Sequence, residues 1–264
     1  MKIIKSLFLV LPLILFLPAI LHAVRVQPPD YGMVIINKYS ESAGLSPVVF
    51  DHWLHRAMFT CRLCHVDIDF AMKANTTDIK AENNSRGYYC GACHNGRMLH
   101  NRKIVFAACS SKSSSEGGSR CERCHSLGKN VKREYDFGVF TKRLPKSGFG
   151  NGVDWEKARE QGLIKPDDFV EGISMKRAPL PVPEDFSIEA RVKNLKGIVF
   201  SHKKHALLFG CEGCHPDIFP VLKGYVAYSM REIYVGQYCG VCHTSVAFPI
   251  INCAGCHQTA VDLP

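Results

Sequence analysis

The chain has 264 residues, of which 46% are hydrophobic, and its 33 lysines and arginines exceed its 24 acidic residues to give a formal net charge of +9. This length accommodates one large domain or two small ones and excludes a longer domain array. The hydrophobic fraction is ordinary, but the thirteen cysteines are not, and their spacing decides how the positive charge is interpreted.

The amino terminus has the pattern of an export signal. "MKIIK" is a basic start, residues 6–21 form an apolar run that Pro12 and Pro18 interrupt, and Ala23 offers a small residue for cleavage. The run is short and too broken by proline for a good membrane span. We therefore predict a cleaved signal peptide over residues 1–23, with a retained anchor as the alternative. No cysteine follows the run, so no lipid anchor is indicated.

A sixteen-residue pattern then occurs twice. "FDHWLHRAMFTCRLCH" (50–65) and "FSHKKHALLFGCEGCH" (200–215) share Phe-x-His-x-x-His-x5-Cys-x-x-Cys-His without a gap. Further on, "RGYYCGACH" (86–94) matches "VGQYCGVCH" (235–243), and each half closes on a third Cys-x-x-Cys-His unit. A repeat of this length indicates two copies of one domain.

The copies differ in length before the third unit. Twenty-six residues separate His94 from Cys121, whereas nine separate His243 from Cys253. The first copy therefore contains an insertion, and its segment 109–120, rich in serine and glycine, has the composition of a flexible loop.

Twelve of the thirteen cysteines belong to six Cys-x-x-Cys-His units, the attachment signature of c-type haem. Two thiols add to the porphyrin vinyl groups, and the next residue places an imidazole under the iron. Zinc binding and a disulfide framework are the alternatives, but neither needs a histidine after every second cysteine. We predict six covalently bound c-type haems, attached through Cys61, Cys64, Cys90, Cys93, Cys121, Cys124, Cys211, Cys214, Cys239, Cys242, Cys253 and Cys256, with His65, His94, His125, His215, His243 and His257 on the irons.

Haem also accounts for the charge. Loss of the signal peptide removes Lys2 and Lys5 and lowers the net charge from +9 to +7. Each ferric haem adds two propionates against one positive charge at its centre, so six haems bring the total near zero. The basic side chains are therefore assigned to propionates and to the surface rather than to nucleic acid. Export is consistent with this chemistry, because haem is attached outside the bacterial cytoplasm.

Between the copies, residues 130–195 contain no haem unit and form a predicted connector. "VDWEKAREQG" predicts a short helix with Asp154 as N-cap, Glu156 in the first turn and Gly162 at its end. "APLPVPED" (178–185) should be extended. The predicted fold class is a multihaem c-type cytochrome, with a mostly irregular chain and a few short helices wrapped around stacked haems that supply most of the apolar core.

A six-coordinate haem iron needs a second axial ligand opposite the histidine of its unit. Of the 12 histidines, six belong to the units and His22 leaves with the signal peptide. Histidines three residues apart on a helical turn lie on one face, so a His-x-x-His pair can serve two irons. Five candidates remain for six irons, which leaves one haem short: His52, His55, His100, His202 and His205.

Both halves resemble the triheme cytochromes of the c-seven class, a shortened relative of the tetraheme c-three type. The tandem arrangement, with "GYYCGACHNG", "CERCHS" and "FGNGVDWEKA", resembles exported hexahaem proteins built from the triheme domain associated with cytochrome nanowires. In the c-seven class the first histidine of Phe-x-His-x-x-His ligates the first haem and the second ligates the second haem. The resemblance implies four ligand pairs: His52 with His65, His55 with His94, His202 with His215, and His205 with His243.

These pairs leave the third haem of each half without a second ligand. Some c-seven-type domains give it a methionine nine residues before the second unit, where this chain has Met230 in one copy and Ala81 in the other. The copy without the methionine has His100, and the position after His243 that corresponds to His100 has Pro249. We therefore assign His100 to the third haem and Met230 to the sixth. Met230 as plain core packing, Met72 and a ligand from another chain are the alternatives.

Cys109 is outside the six units. It is either a free thiol or a replacement for Cys121 in a long Cys-x14-Cys-His attachment.

The predicted organisation is a signal peptide (1–23), a first triheme domain (24–129) with an insertion at 109–120, a haem-free connector (130–195) and a second triheme domain (196–264). The predicted function is single-electron transfer by an exported periplasmic or extracellular cytochrome with no catalytic residue. Its partners would be other redox proteins or cytochromes, with self-association into filaments as a further option. The alternative is a multihaem enzyme with one five-coordinate haem, at the sixth site, that reduces a small oxyanion or nitrogen oxide.

Overall fold

The computed structural model describes residues 31–109, 121–127, 135–178, 181–192 and 194–259. The predicted signal peptide and nearly all of the predicted flexible loop lie outside these ranges. Strands are β1 (Met33–Ile36), β2 (Val48–Asp51), β3 (Leu99–His100), β4 (Lys103–Ile104), β5 (Phe186–Ile188), β6 (Gly197–Phe200) and β7 (His257–Thr259). Helices are α1 (His52–Met58), α2 (Ala81–Ser85), α3 (Cys90–Cys93), α4 (Phe137–Phe140), α5 (Trp155–Glu160), α6 (His202–Phe209), α7 (Met230–Tyr234), α8 (Gly240–His243) and α9 (Cys253–Cys256).

Short elements dominate the described chain, as the sequence predicted. The longest of these helices, α6, has eight residues. Within the described ranges, no helix is long and apolar enough to cross a membrane.

Each copy begins with an antiparallel hairpin that leads directly into the His-x-x-His helix. In the first copy β1 pairs with β2 and places Val34 opposite Phe50. In the second copy β5 pairs with β6 and places Phe186 opposite Phe200. β7 extends the second sheet on the far side of β6. Strand β5 therefore belongs structurally to the second copy, although the sequence analysis placed it in the connector.

The predicted connector helix is present as α5. The Asp154 side chain accepts a hydrogen bond from the Lys157 backbone N–H, which satisfies one of the free amides at the helix start. Gly162, at φ +69, follows the helix in the left-handed region that favours glycine.

The connector packs against the first copy. The back face of α1 contributes Trp53, only 2% exposed, and α5 contributes Ala158, which is fully buried. Phe137 of α4 meets the Trp53 ring edge-on at 5.1 Å between centroids. The remaining members of this buried cluster are Ala57, Leu144, Val153, Trp155 and Ile164. The sequence analysis expected haem to form most of the core and did not anticipate this polypeptide core behind the His-x-x-His helix.

The equivalent face in the second copy is open. Lys203 stands where the first copy has Trp53, and Leu207, 57% exposed, stands where it has Ala57. Helix α6 meets the connector through an ion pair between Lys204 and Glu156, which are both partly exposed. The connector therefore supports α1 by apolar burial and α6 by surface charge.

We predict that Trp155→Ala destabilises the protein by about 3–5 kcal/mol, because truncating a buried aromatic side chain leaves a cavity. The substitution also removes the hydrogen bond that the Trp155 indole N–H donates to the Asn151 side-chain oxygen at 3.0 Å. Guanidinium unfolding followed by circular dichroism measures the change. Lys157→Ala, an exposed substitution on the same helix, should stay within about 0.5 kcal/mol of the wild type; equal effects of both changes would contradict the assigned core.

Candidate haem-binding sites

The attachment units fold as single helical turns. The backbone N–H of the histidine donates to the carbonyl of the first cysteine in five units, at 2.8 Å in His94 and His125, 2.9 Å in His215 and 3.0 Å in His243, and also in His257. A turn of this kind places both thiols and the imidazole around one space, the arrangement that bonding to a single macrocycle requires.

All thirteen cysteines lie in the described ranges, and each is an unpaired thiol, so the structure does not contain the alternative disulfide framework. Burial raises the pKa of Cys64 and Cys90 to about 12, with neighbouring thiols adding to the effect. A thiolate at these places would be costly. A thioether is neutral and apolar and therefore fits such an environment.

Backbone carbonyls fix the tautomer of the unit histidines. In five of the six units Nδ1 lies 2.7–2.8 Å from a backbone oxygen: Phe70 for His65, Ser46 for His125, Phe219 for His215, Phe248 for His243 and Lys196 for His257. A carbonyl can only accept, so Nδ1 carries the proton and Nε2 presents its lone pair. This is the form in which a histidine binds a metal.

The sixth unit histidine, His94, differs in detail. Its Nδ1 is buried near the carbonyl of Phe106 without a well-formed hydrogen bond. Its ring contacts the Phe106 ring at 4.4 Å, as the His243 ring contacts Phe248 at 4.4 Å. Burial lowers the pKa of His94 to about 4, so the ring is neutral and able to ligate at neutral pH.

These acceptors occupy equivalent places in the two copies. Ser46 and Lys196 each stand four residues before the phenylalanine of the repeated motif. Phe70 and Phe219 follow the first unit of their copies, four or five residues after its histidine. The third unit of each copy is thus hydrogen-bonded back to the chain that leads into the first, which closes the domain.

In three predicted ligand pairs the two rings lie close together, nearly parallel in the first pair and tilted by 54° and 57° in the other two. The ring centroids of His52 and His65 are 6.3 Å apart with the planes 5° from parallel. The centroids of His55 and His94 are 6.4 Å apart, and those of His205 and His243 are 6.3 Å apart. Imidazole nitrogens bind metals at about 2.0 Å, so two ligands in line hold their ring centres ~6 Å apart. The separations therefore fit one iron between each pair.

Two other predicted pairs are not brought together in this way. The His202 ring packs against Phe186 and Phe200, and its Nδ1 lies 3.1 Å from the Glu184 carbonyl. No ring pair of comparable separation joins His202 to His215, or His100 to His125, although all four residues are described. Both pairings remain predictions.

The motif phenylalanine supports both distal histidines. Phe50 lies 4.7 Å from His52 and 4.4 Å from His55, and Phe200 lies 5.1 Å and 4.5 Å from the equivalent rings. The second histidine also bonds the carbonyl four residues before it, at 2.9 Å for His55 and 2.8 Å for His205. Sequence reasoning identified this phenylalanine as part of the motif but did not assign it this role.

The second unit of each copy packs tightly on the preceding short helix. A β-carbon on Gly91 would lie 1.8 Å from the Asn84 carbonyl oxygen, and one on Gly240 would lie 1.9 Å from that of Ile233. Those carbonyls belong to α2 and α7, which begin at Ala81 and Met230. The two starting residues are therefore structurally equivalent, as the sequence comparison implied. The Met230 side chain is 40% exposed.

His100 lies in a hairpin that the second copy lacks. Phe106 makes the contacts that Phe248 makes in the other copy, so β3 and β4 are an insertion before this point, and the structural counterpart of Pro249 is Ala107 rather than His100. The His100 ring contacts Phe59 at 4.8 Å, and its Nε2 lies 3.0 Å from the Asn101 side-chain amide.

Cys109 is half-buried beside Asn84, whose side-chain amide lies 4.0 Å from the sulfur. Burial raises the pKa of this thiol, and Cys121 is close enough to contribute. The position is compatible with both alternatives for Cys109.

Comparison with known proteins identifies the class. The family model "Cytochrome c7 and related cytochrome c" matches residues 48–134 and 198–258, more than half of the chain. The chain therefore belongs to this family of multihaem cytochromes, which carry covalently bound c-type haems and transfer electrons between redox proteins. Both triheme halves are covered by the match.

Two solved structures are similar over most of their length. The C-terminal hexaheme fragment of GSU1996 is 23% identical, with 88% of this chain and 99% of that chain covered and a TM-score of 0.27. The N-terminal hexaheme fragment of GSU1996 is 22% identical, with 87% and 99% covered and a TM-score of 0.25. No curated protein matches the chain.

We predict that Gly91→Ala and Gly240→Ala each destabilise their copy by about 1–3 kcal/mol or more, because the added methyl group must displace a helix carbonyl. Thermal unfolding of the haem-loaded protein measures the effect. Gly148 has open space where a β-carbon would stand, so Gly148→Ala is the control. Wild-type stability in Gly91→Ala and Gly240→Ala would show that the second units do not pack closely on the carbonyls of α2 and α7.

Proposed function

We propose that this cytochrome is an exported hexahaem electron carrier with one haem at each Cys-x-x-Cys-His unit. The observation that carries the proposal is the repeated use of backbone carbonyls to hold Nδ1 of the unit histidines. The proposed distal ligands are His52, His55, His100, His202, His205 and Met230, opposite His65, His94, His125, His215, His243 and His257 respectively.

The chain's own residues orient the ligands and keep them neutral. Bound haem supplies the one-electron redox chemistry of such a protein. Burial lowers the pKa of His52 to about 3, with the nearby His65 ring adding to the effect. Burial likewise lowers the pKa of His55 and His65. These rings remain ligands rather than cations across the physiological pH range.

Ligands on both faces of the iron favour electron transfer over catalysis. Each of the three close ring pairs would supply two ligands to one iron, which would leave no position for a substrate there. The rival function, reduction of a small oxyanion or nitrogen oxide, requires an open iron. The sixth site is the place for it if Met230 does not bind.

Export and location are part of the same proposal. Covalent haem attachment outside the cytoplasm favours a periplasmic or extracellular protein, and the basic, apolar start of residues 1–23 supports a cleaved signal. We propose other redox proteins or cytochromes as partners, and filament formation as a further possibility for the same chain. We also propose that the second triheme domain begins near Phe186, because β5 pairs with β6.

The mature protein is expected to carry six haems on a chain that begins near Val24. Intact mass spectrometry measures both quantities. Tryptic peptides then locate Cys109, which should occur without haem if Cys121 and Cys124 attach the third group. A mass without haem, or with zinc, would contradict the proposal.

The sixth haem is expected to differ from the others. Thioether sulfur binds ferric iron less strongly than imidazole does, so His/Met ligation raises the potential. Met230→His should lower the highest potential in a redox titration and remove the sulfur-to-iron charge-transfer band, whereas Met72→Ala should do neither. An unchanged spectrum in Met230→Ala would exclude Met230 as a ligand. Cyanide or nitrite binding by the unmutated sixth haem would then favour the reductase.

A further inference from the structure

The first attachment unit is in contact with the second copy of the domain. Phe209, at the end of α6, lies edge-on to the His65 ring at 6.1 Å between centroids. The Tyr31 hydroxyl of the first copy also lies 3.3 Å from the backbone carbonyl of His243, in the fifth unit. The first unit therefore lies beside the fourth, and another part of the first copy lies beside the fifth.

A buried ionic network holds one side of this contact. The side chains of Arg62 and Asp67 are 4% and 5% exposed, and their closest nitrogen and oxygen are 3.0 Å apart. Arg62 also pairs with Asp168 of the connector at 2.8 Å. Buried charges are tolerated only when they are paired and hydrogen-bonded, so this network fixes the groups that it joins.

Arg177 extends the network to the second copy. It pairs with Asp67 at 2.9 Å and with Glu212 at 2.8 Å. Arg62 and Glu212 occupy the same place in their units, directly after the first cysteine. The network thus links equivalent points of the first and fourth units. A β-carbon on Gly210 would lie 2.9 Å from the Arg62 side chain, which shows how closely the two copies approach there.

Hydrogen bonds hold the other side of the contact. The Tyr31 hydroxyl donates to the Ala247 carbonyl at 2.7 Å, and Arg56 donates to the Val246 carbonyl at 2.8 Å. Both acceptors lie in the loop between the fifth and sixth units. Burial raises the pKa of Tyr31, so the hydroxyl remains a donor across the physiological range.

We propose that these residues form an inter-domain joint, which holds the first attachment unit against the fourth, holds the first copy against the fifth, and makes this the place where electrons pass between the triheme domains. The joint consists of Arg62, Asp67, Asp168, Arg177 and Glu212 on one side and of Tyr31 and Arg56 with residues 246–247 on the other. This proposal rests on the proposed assignment of haems to the units, but it makes separate claims about domain association and about the crossing point.

The joint is tested by reversing one charge at its exposed rim. Glu212 is 40% exposed, and Glu212→Lys places a cation against Arg177 without altering a ligand. Asp217→Lys makes the same change of charge on an exposed residue of the following loop and is the matched control. We expect small-angle X-ray scattering to show a larger radius of gyration for Glu212→Lys alone, with all six haems retained. If Glu212→Lys loses haem, Arg177→Gln replaces it, because it removes the ion pairs without adding a charge.

The crossing point is tested with one ligand variant of helix α1. His52→Met should raise the potential of the haem at the first unit, because His52 is the proposed distal ligand there. We expect His52→Met to slow electron exchange between the domains at least about tenfold, which a rise of about 59 mV at an obligatory intermediate would produce. Lys157→Ala, an exposed substitution on the connector helix, is the control and should keep the wild-type rate. Saturation transfer between haem methyl resonances in partly reduced samples measures the exchange.

A wild-type exchange rate in His52→Met would overturn the crossing point. Wild-type dimensions in both Glu212→Lys and Arg177→Gln would overturn the joint. Haem content is measured first in every variant and in the wild type. A wild-type chain without six haems would contradict the proposed function, whereas six haems with these other results would contradict the joint alone.

Discussion

The hydrogen bond from an imidazole Nδ1 to a backbone carbonyl is the constraint on which the rest of this structure depends. A carbonyl in a helix or a sheet ladder already accepts a hydrogen bond from a backbone N–H, so each unit histidine needs a carbonyl outside regular structure. Phe70, Phe219, Phe248, Ser46 and Lys196 all lie in such stretches. The irregular chain between the units is therefore the means by which five imidazoles are oriented with Nε2 free, and it limits how much helix or strand the domain can contain.

The sequence predicted the features that are local or covalent. Short stretches of sequence were enough to recognise four features: the attachment units, the duplicated motif, Asp154 as the N-cap of α5 and the equivalence of Ala81 and Met230. The core behind α1 was not predictable in this way. Trp53 and Trp155 are about a hundred residues apart, and no sequence pattern at either position indicates that the two side chains pack in the same core. The hairpin with His100 was also missed, since counting from His94 cannot show where an insertion begins.

The two copies have kept the residues that face the haem sites and changed those that face the rest of the chain. Phe50 and Phe200 make the same contacts with their histidines, and Gly91 and Gly240 meet the same helix carbonyls. By contrast, Lys203 stands where the first copy has Trp53, and Glu212 stands where it has Arg62. The first difference opens the back of α6, and the second supplies opposite charges at the contact between the copies. The two domains therefore have different neighbours, although these contacts at the haem sites are the same in both.

This division has a consequence for how each domain is stabilised. Nine of the eleven buried hydrophobic residues in the described chain belong to the first copy and the connector, and only Phe209 and Ile233 belong to the second copy. Buried apolar area contributes about 25 cal/mol per Å², so the polypeptide of the second copy has little of its own to offset the entropy of ordering. Its stability must come from the haems that its six attachment cysteines would bind and from its contacts with the first copy. The inter-domain network around Arg62 is among those contacts.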